Sequence, residues 1–175
     1  MNKKIAIIIA FRDFQDKEYF GTKEVLERAD VKITTVSAKK ETAIGVYGGE
    51  VNVDLTEQEV DVKDYDVIVF IGGGGALKYL DNEVSYHLAR QAVSQNKILA
   101  AICISPVILA KAGALKNKKA TVWSSPFDKG PIKILKENGA EYLDEDVVVD
   151  GKIITANGPS ASRKFGEKIV KLLLT

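Results

Sequence analysis

The chain has 175 residues, 46% of them hydrophobic, which is enough to bury one sizeable core and too short for two ordinary domains, so a single domain over 1–175 is expected. Lys and Arg number 25 against 24 Asp and Glu, and a net charge of +1 gives no field for holding nucleic acid or an anionic membrane. A single cysteine forms no internal disulfide, and no apolar stretch nears the roughly 18 residues that span a bilayer; a cytoplasmic location suits both facts.

The first apolar run, Ile5 to Ala10, stops at Phe11-Arg12-Asp13 and is too short for the core of a signal peptide. It reads as a strand buried on both faces. Lys17 to Arg28 follows as a helix with Tyr19, Val25 and Leu26 inward. Glu18 falls in its first turn, where the dipole favours a carboxylate, so taken alone it reads as a solvated helix-start charge. Val31 to Val36 is a second strand, and Ala43 to Asp54, built around Tyr47-Gly48-Gly49-Glu50, reads as an antiparallel addition.

Val67 to Ile71 makes a third strand and runs into Gly72-Gly73-Gly74-Gly75. No Gly-Lys-Ser/Thr follows, which excludes a Walker loop, and a Rossmann fingerprint would follow the first strand. The glycines fit a plain flexible turn and equally a bare backbone whose N–H groups approach a developing oxyanion. On the next helix, Glu83 to Gln95, the residues Val84, Leu88, Ala89, Ala92 and Val93 share an apolar face. His87, the only histidine, lies opposite with Glu83, Arg90, Gln91 and Ser94, so it is expected in solvent and outside any catalytic dyad. One Cys and one His supply too few soft ligands for a metal site, and no cofactor is expected.

Ile98 to Ile102 is a fourth strand, ending at Cys103, and Pro106 suits the first turn of a helix running to Gly113. Strand, cysteine and helix form an elbow that exposes the side chain at the sheet edge and aims a helix N-terminus at the sulfur, so a lowered thiol pKa is expected. A lone cysteine is as often a small buried core residue, and position alone leaves both readings open. Val147 to Ile154, with Asp150-Gly151 at its centre, reads as a tight hairpin, and Ser160 to Leu174 as a last helix with Phe165, Ile169, Leu172 and Leu173 inward.

Alternating strands and helices predict an α/β fold: a mostly parallel sheet with right-handed crossovers, helices on both faces and small antiparallel additions. Ligands in such folds bind beyond the carboxyl ends of the strands, where Glu18, the glycine loop and Cys103 converge.

These motifs resemble the PfpI family of intracellular cysteine peptidases, whose superfamily includes the parkinsonism-associated protein deglycase and cofactor-independent glyoxalases. Tyr65 through Ile71 into Gly72-Gly73 is similar to the family's strand and oxyanion loop, and Ala101-Ile102-Cys103-Ile104-Ser105-Pro106 to its nucleophile elbow. Ala112 to Lys116 resembles the helix exit, and Gly139 to Tyr142, Val147 to Gly151 and Asn157-Gly158-Pro159 resemble its tail. The resemblance implies a flavodoxin-like three-layer sandwich of the class I glutamine amidotransferase type, and a homodimer or higher homo-oligomer. It implies Cys103 as nucleophile, Glu18 as its carboxyl partner, and the N–H groups of Gly73 and Ile104 as oxyanion hole. Peptidase-like members carry histidine directly after the nucleophile, where this chain has Ile104; the Gly usual next is Ser105, and the Pro usual before the double glycine is Ile71. The deglycase branch also lacks that histidine. The expected activity is therefore of glyoxalase or deglycase type, on a small reactive aldehyde or glycated substrate in stress protection; a PfpI-type peptidase and a non-enzymatic redox sensor or chaperone are the alternatives.

Overall fold

The structure, a computed structural model, describes residues 2–175. Its centre is a seven-stranded sheet whose middle is formed by the four strands expected: β1 (Lys4–Ile8), β3 (Lys32–Ser37), β7 (Val67–Phe70) and β8 (Ile98–Ile102). Between the first two lie a short β2 (Arg12–Phe14) and α1 (Asp16–Arg28); between the next two lie β4 (Thr42–Gly45), β5 (Glu50–Asn52) and β6 (Leu55–Thr56). The helices α2 (Ala76–Tyr79) and α3 (Glu83–Ser94) lead into β8. After it come α4 (Pro106–Lys111), β9 (Lys119–Ala120), α5 (Gly130–Glu137), β10 (Glu141–Tyr142), β11 (Val147–Asp150), β12 (Ile153–Ala156) and α6 (Ser162–Leu173). The sheet order is β11-β12-β8-β7-β1-β3-β6, parallel throughout except for β11 against β12. It is the α/β, flavodoxin-like arrangement expected.

Strand side chains alternate between faces, and both faces here are apolar, as burial under two helix layers requires. Ile5, Ile7, Val67, Val69, Ala100 and Ile102 pack towards α1 and α6, against Tyr19, Leu26, Phe165 and Ile169. Ala6, Ile8, Ile68, Phe70, Leu99 and Ala101 pack towards α3, α4 and α5, against Leu88, Ala92, Ile108 and Leu135. Gly166 lets α6 close on α1, since a Cβ there would meet Val25 Cβ at 3.0 Å.

One expectation changes, and the two antiparallel additions are borne out. Val93 is 47% exposed, because the inward stripe of α3 takes Ser85, whose hydroxyl donates to the buried Glu57 at 2.5 Å. The addition over 43–54 is an antiparallel β4–β5 pair, and β2 adds to it in parallel, making a separate three-stranded sheet beside the site. Of the Val147–Ile154 hairpin, β12 runs parallel to β8 and so extends the main sheet next to the cysteine strand.

Candidate active site

The carboxyl ends of β1, β7 and β8 deliver three segments to one place: Phe11 to Glu18, Gly72 to Gly75, and Cys103 to Pro106. Cys103 sits in the left-handed region at φ 64°, a conformation a cysteine does not favour. The backbone is pinned on both sides of it. Its N–H donates to Ala156 O at 2.9 Å and its carbonyl accepts from Trp123 N at 2.8 Å, so the turn is held by β12 and by the segment after β9. The N–H groups of Ile104 and Gly73 are directed at its sulfur.

Glu18 is fully buried, not solvated as its helix-start position suggests. Gln15 caps the helix, its Oε1 accepting from Glu18 N at 3.1 Å, and the Glu18 side chain turns in under the glycine loop. Oε1 accepts from Gly72 N at 2.9 Å. Oε2 is buried without a hydrogen-bond partner of good geometry, and the side chain that interacts with this carboxyl is the thiol of Cys103.

The loop explains its glycines. A Cβ on Gly72 would stand 2.7 Å from Cys103 Cβ and 2.8 Å from Glu18 Oε1, so any side chain there would wedge the pair apart. Gly73 has φ 118°, and its Cβ would meet Asp13 O and Gln15 N at 2.5 Å. Two consecutive peptide units are thereby clamped. The Ile71–Gly72 unit accepts the Ser105 hydroxyl on its carbonyl at 2.7 Å and gives its N–H to Glu18. The Gly72–Gly73 unit accepts Gln15 N at 2.9 Å and turns its N–H to the Cys103 sulfur.

Burial raises the Glu18 carboxyl from 4.5 to about 7, against the opposing pull of its bonds to Cys103 and Gly72. The expectation of a lowered thiol pKa is reversed. Burial pushes the Cys103 thiol up, and a charged Glu18 pushes the same way; the Ile104 and Gly73 N–H groups pull it down without outweighing them. The helix behind the elbow is only six residues long and supplies a weak dipole by comparison. Thiol and carboxyl are thus a coupled pair that does not readily lose both protons, and its first proton leaves near the carboxyl's value of about 7. That loss leaves the pair with one negative charge and one proton.

Cys103 opens into a cavity of about 280 Å³ lined by Gly73, Gly74, Leu77, Ile104 and Trp123. No charged side chain lines it. Leu77 and Trp123 stand in no motif that marks them, and Ser105, though part of the elbow motif, carries no signal of a role there; Trp123 packs on the core and its N–H bonds the Cys103 carbonyl. The structure brings Glu18, Gly73, Cys103 and Ile104 together. His87 is exposed on α3 in a separate hollow beside Glu59 and Asp61, as its helix position predicts. Among the described residues no group of three or more His, Cys, Asp or Glu could hold a metal ion, and no helix is long and apolar enough to cross a membrane.

The family model of the DJ-1/PfpI family matches residues 3–172. The chain belongs to the DJ-1/PfpI family. A protein of Methanocaldococcus jannaschii is 41% identical over 173 residues, covering 98% of this chain and 83% of that protein. The deglycase PfpI of Pyrococcus furiosus is 30% identical over 167 residues, 95% of this chain and 98% of that one. The crystal structure of a ThiJ/PfpI domain protein from Brachyspira murdochii superposes with a TM-score of 0.93 at 33% identity, covering 99% and 98% of the two chains. DJ-1beta of Drosophila melanogaster gives 0.86 at 29% identity, covering 99% of this chain and 91% of that one.

Proposed function

We propose that the protein is a cysteine-dependent enzyme of glyoxalase or deglycase type acting on small, uncharged α-oxoaldehydes, with Cys103 as nucleophile and Glu18 as proton shuttle. The observation that carries this reading is a thiol against a fully buried carboxyl at the floor of a small, apolar-walled cavity. The relatives named deglycase support it.

With the shared proton on Glu18, Cys103 is a thiolate and Glu18 an acid. Sulfur adds to the aldehyde carbon of methylglyoxal, and the new oxyanion takes the proton from Glu18, giving a hemithioacetal. The Gly73 and Ile104 N–H groups would stabilise that oxygen as charge develops. Glu18, now a carboxylate, removes the carbon-bound hydrogen to give an enediolate and delivers it to the neighbouring carbon, while the hydroxyl proton of the first carbon passes to the neighbouring oxygen, leaving a lactoyl thioester on Cys103. Water then cleaves the C–S bond, lactate leaves with its carboxylic proton lost to solvent, and the thiol and carboxyl pair returns to its starting protonation. No electrons are exchanged with any other species.

Peptide cleavage would need more. Expelling an amine requires its protonation, to which a placed general acid contributes on the order of a hundredfold or more, and the residue beside the nucleophile is Ile104. Aldehyde addition has no leaving group.

Turnover of methylglyoxal by the wild type and by Cys103→Ala, with lactate as the measured product, tests the proposal. Lactate formation by the wild type that disappears in Cys103→Ala is expected. Lactate formation surviving in Cys103→Ala, or Cys103-dependent hydrolysis of casein without aldehyde consumption, would overturn it.

A further inference from the structure

We infer that Ser105 is a positioning residue for Glu18, acting through the single peptide unit between Ile71 and Gly72. That unit is trans, so its C=O and N–H leave opposite edges of one plane. On one edge the fully buried Ser105 hydroxyl donates to Ile71 O at 2.7 Å; on the other Gly72 N–H donates to Glu18 Oε1 at 2.9 Å. Hydroxyl, peptide and carboxyl form one hydrogen-bonded chain in a medium from which water is excluded. Drawing electron density to the carbonyl makes the amide a stronger donor, and fixing the carbonyl fixes the direction in which the N–H points.

Glu18 depends on that direction. Its Oε1 has the Gly72 N–H as partner and its Oε2 has none, so the Gly72 N–H fixes which oxygen is held and with it the orientation of the carboxyl beside Cys103. A glycine at 72 cannot supply stiffness of its own, and a larger residue is excluded by the 2.7 Å approach of Cys103 Cβ. Rigidity has to come from outside the loop, and the Ser105 hydroxyl is the side chain that provides it. Ser105 also stands two residues from the nucleophile, at the N-cap of α4, yet its hydroxyl makes no cap bond there. The hydroxyl is committed to the loop and not to its own helix.

The ionisable neighbours are few. Among the described residues, Cys103 from the end of β8 is the titratable side chain that bears on Glu18. On α1 the Asp16 carboxylate is held by the N–H groups of Tyr47 and Gly49, Lys17 is exposed, and the Tyr19 hydroxyl is bonded to Thr35. Arg12 and Asp13 on β2 are exposed. A change in the titration of the pair on altering Ser105 therefore reports on the peptide link.

The Gly72 N–H stabilises the carboxylate, so weakening it raises the pH at which the pair loses its first proton. The experiment is the pH dependence of iodoacetamide alkylation at Cys103 in the wild type, Ser105→Ala and Ser105→Thr, each checked for folding by thermal unfolding. It rests on the pairing of Glu18 with Cys103 and reads it without any aldehyde, so failure of the proposed reaction leaves it intact. The wild-type profile is expected to inflect where the coupled pair of Glu18 and Cys103 loses its first proton. For Ser105→Ala the inflection is expected higher by roughly half to one pH unit, the size of effect from losing part of one neutral hydrogen bond. Ser105→Thr, which keeps a hydroxyl, should return it towards the wild-type position. If the alanine variant is not recovered folded, Ser105→Gly serves as the hydroxyl deletion. A folded deletion variant whose profile superimposes on the wild type, with only its melting temperature changed, would make Ser105 a purely structural residue and overturn the inference. So would a folded Ser105→Thr that titrates like the deletion.

Discussion

Replacing Glu18 by glutamine should stabilise the fold at alkaline pH, and the size of the effect follows from the carboxyl's surroundings. Burial moves this group from 4.5 to about 7. Below 4.5 both folded and unfolded chains hold the proton, and the group costs nothing. Between 4.5 and 7 the unfolded chain gives it up while the folded chain keeps it, so wild-type stability falls as pH rises through this window and levels off above it. At about 1.4 kcal/mol for each pH unit, the full loss is on the order of 3 kcal/mol. Glutamine stays neutral and keeps an oxygen to accept from Gly72 N, so Glu18→Gln does not follow that decline. The stability gap between Glu18→Gln and wild type should therefore widen, in favour of the variant, by up to about 3 kcal/mol from pH 4.5 to pH 8. In thermal unfolding that is roughly 6 to 12 °C for a chain of this size. Urea denaturation of both proteins at several pH values gives the gap directly, and taking the difference removes the titrating groups that do not interact with Glu18. Parallel stability curves across that range would refute the assignment of a raised pKa to Glu18.

His87→Ala should leave both Cys103 alkylation and methylglyoxal turnover within a few-fold of wild type, since His87 is exposed in a separate hollow; a hundredfold loss in steady-state turnover would instead require a general-base role for it. Peptide amides should be cleaved weakly or not at all in a fluorogenic peptidase assay, with Ile104→His raising the rate, and rapid Cys103-dependent cleavage by the wild type would contradict the chemistry proposed.

The sheet was legible in the sequence because strands buried on both faces must be apolar at every position, and Ile5 to Ala10, Val67 to Ile71 and Ile98 to Ile102 are. Cys103 was legible as an elbow because a strand ends at it and Pro106 opens the next helix. Glu18 was not legible from its own surroundings. A carboxylate in a first helical turn is ordinary, and its burial depends on where the Gly72 loop lies, 54 residues away along the chain. The thiol's titration failed for a related reason: an elbow signals a helix dipole, but not the depth of burial or the charge next to it. Trp123 and Ser105 reach the site through single hydrogen bonds to the backbone, which leave no periodicity to read. Val93 misled because helical spacing defines a face only to within a residue, and Ser85 turned inward to meet Glu57.

Backbone strain at the elbow can be measured separately from its chemistry. Besides Cys103, the non-glycine residues at positive φ are Asp13, Asp30, Asn96 and Asn117. These are Asp and Asn, whose short polar side chains tolerate the left-handed region. Cys103 has no such tolerance, and its neighbours hold it there through Ala156 O and Trp123 N. For an ordinary side chain this conformation costs about 1 to 2 kcal/mol, and glycine escapes the cost. At a normal position glycine is less stable than alanine by roughly 0.5 to 1 kcal/mol because it loses more freedom on folding. Comparing Cys103→Gly with Cys103→Ala removes the thiol, and its coupling to Glu18, from both. The two effects oppose, and the strain is the larger, so Cys103→Gly should equal or exceed Cys103→Ala in stability by up to about 1.5 kcal/mol, read by urea denaturation at pH 5, where folded Glu18 is protonated in both. Alanine proving the more stable by the usual margin would mean that the turn relaxes once the thiol is gone, and that the thiol's own contacts, not the sheet around it, impose the left-handed conformation.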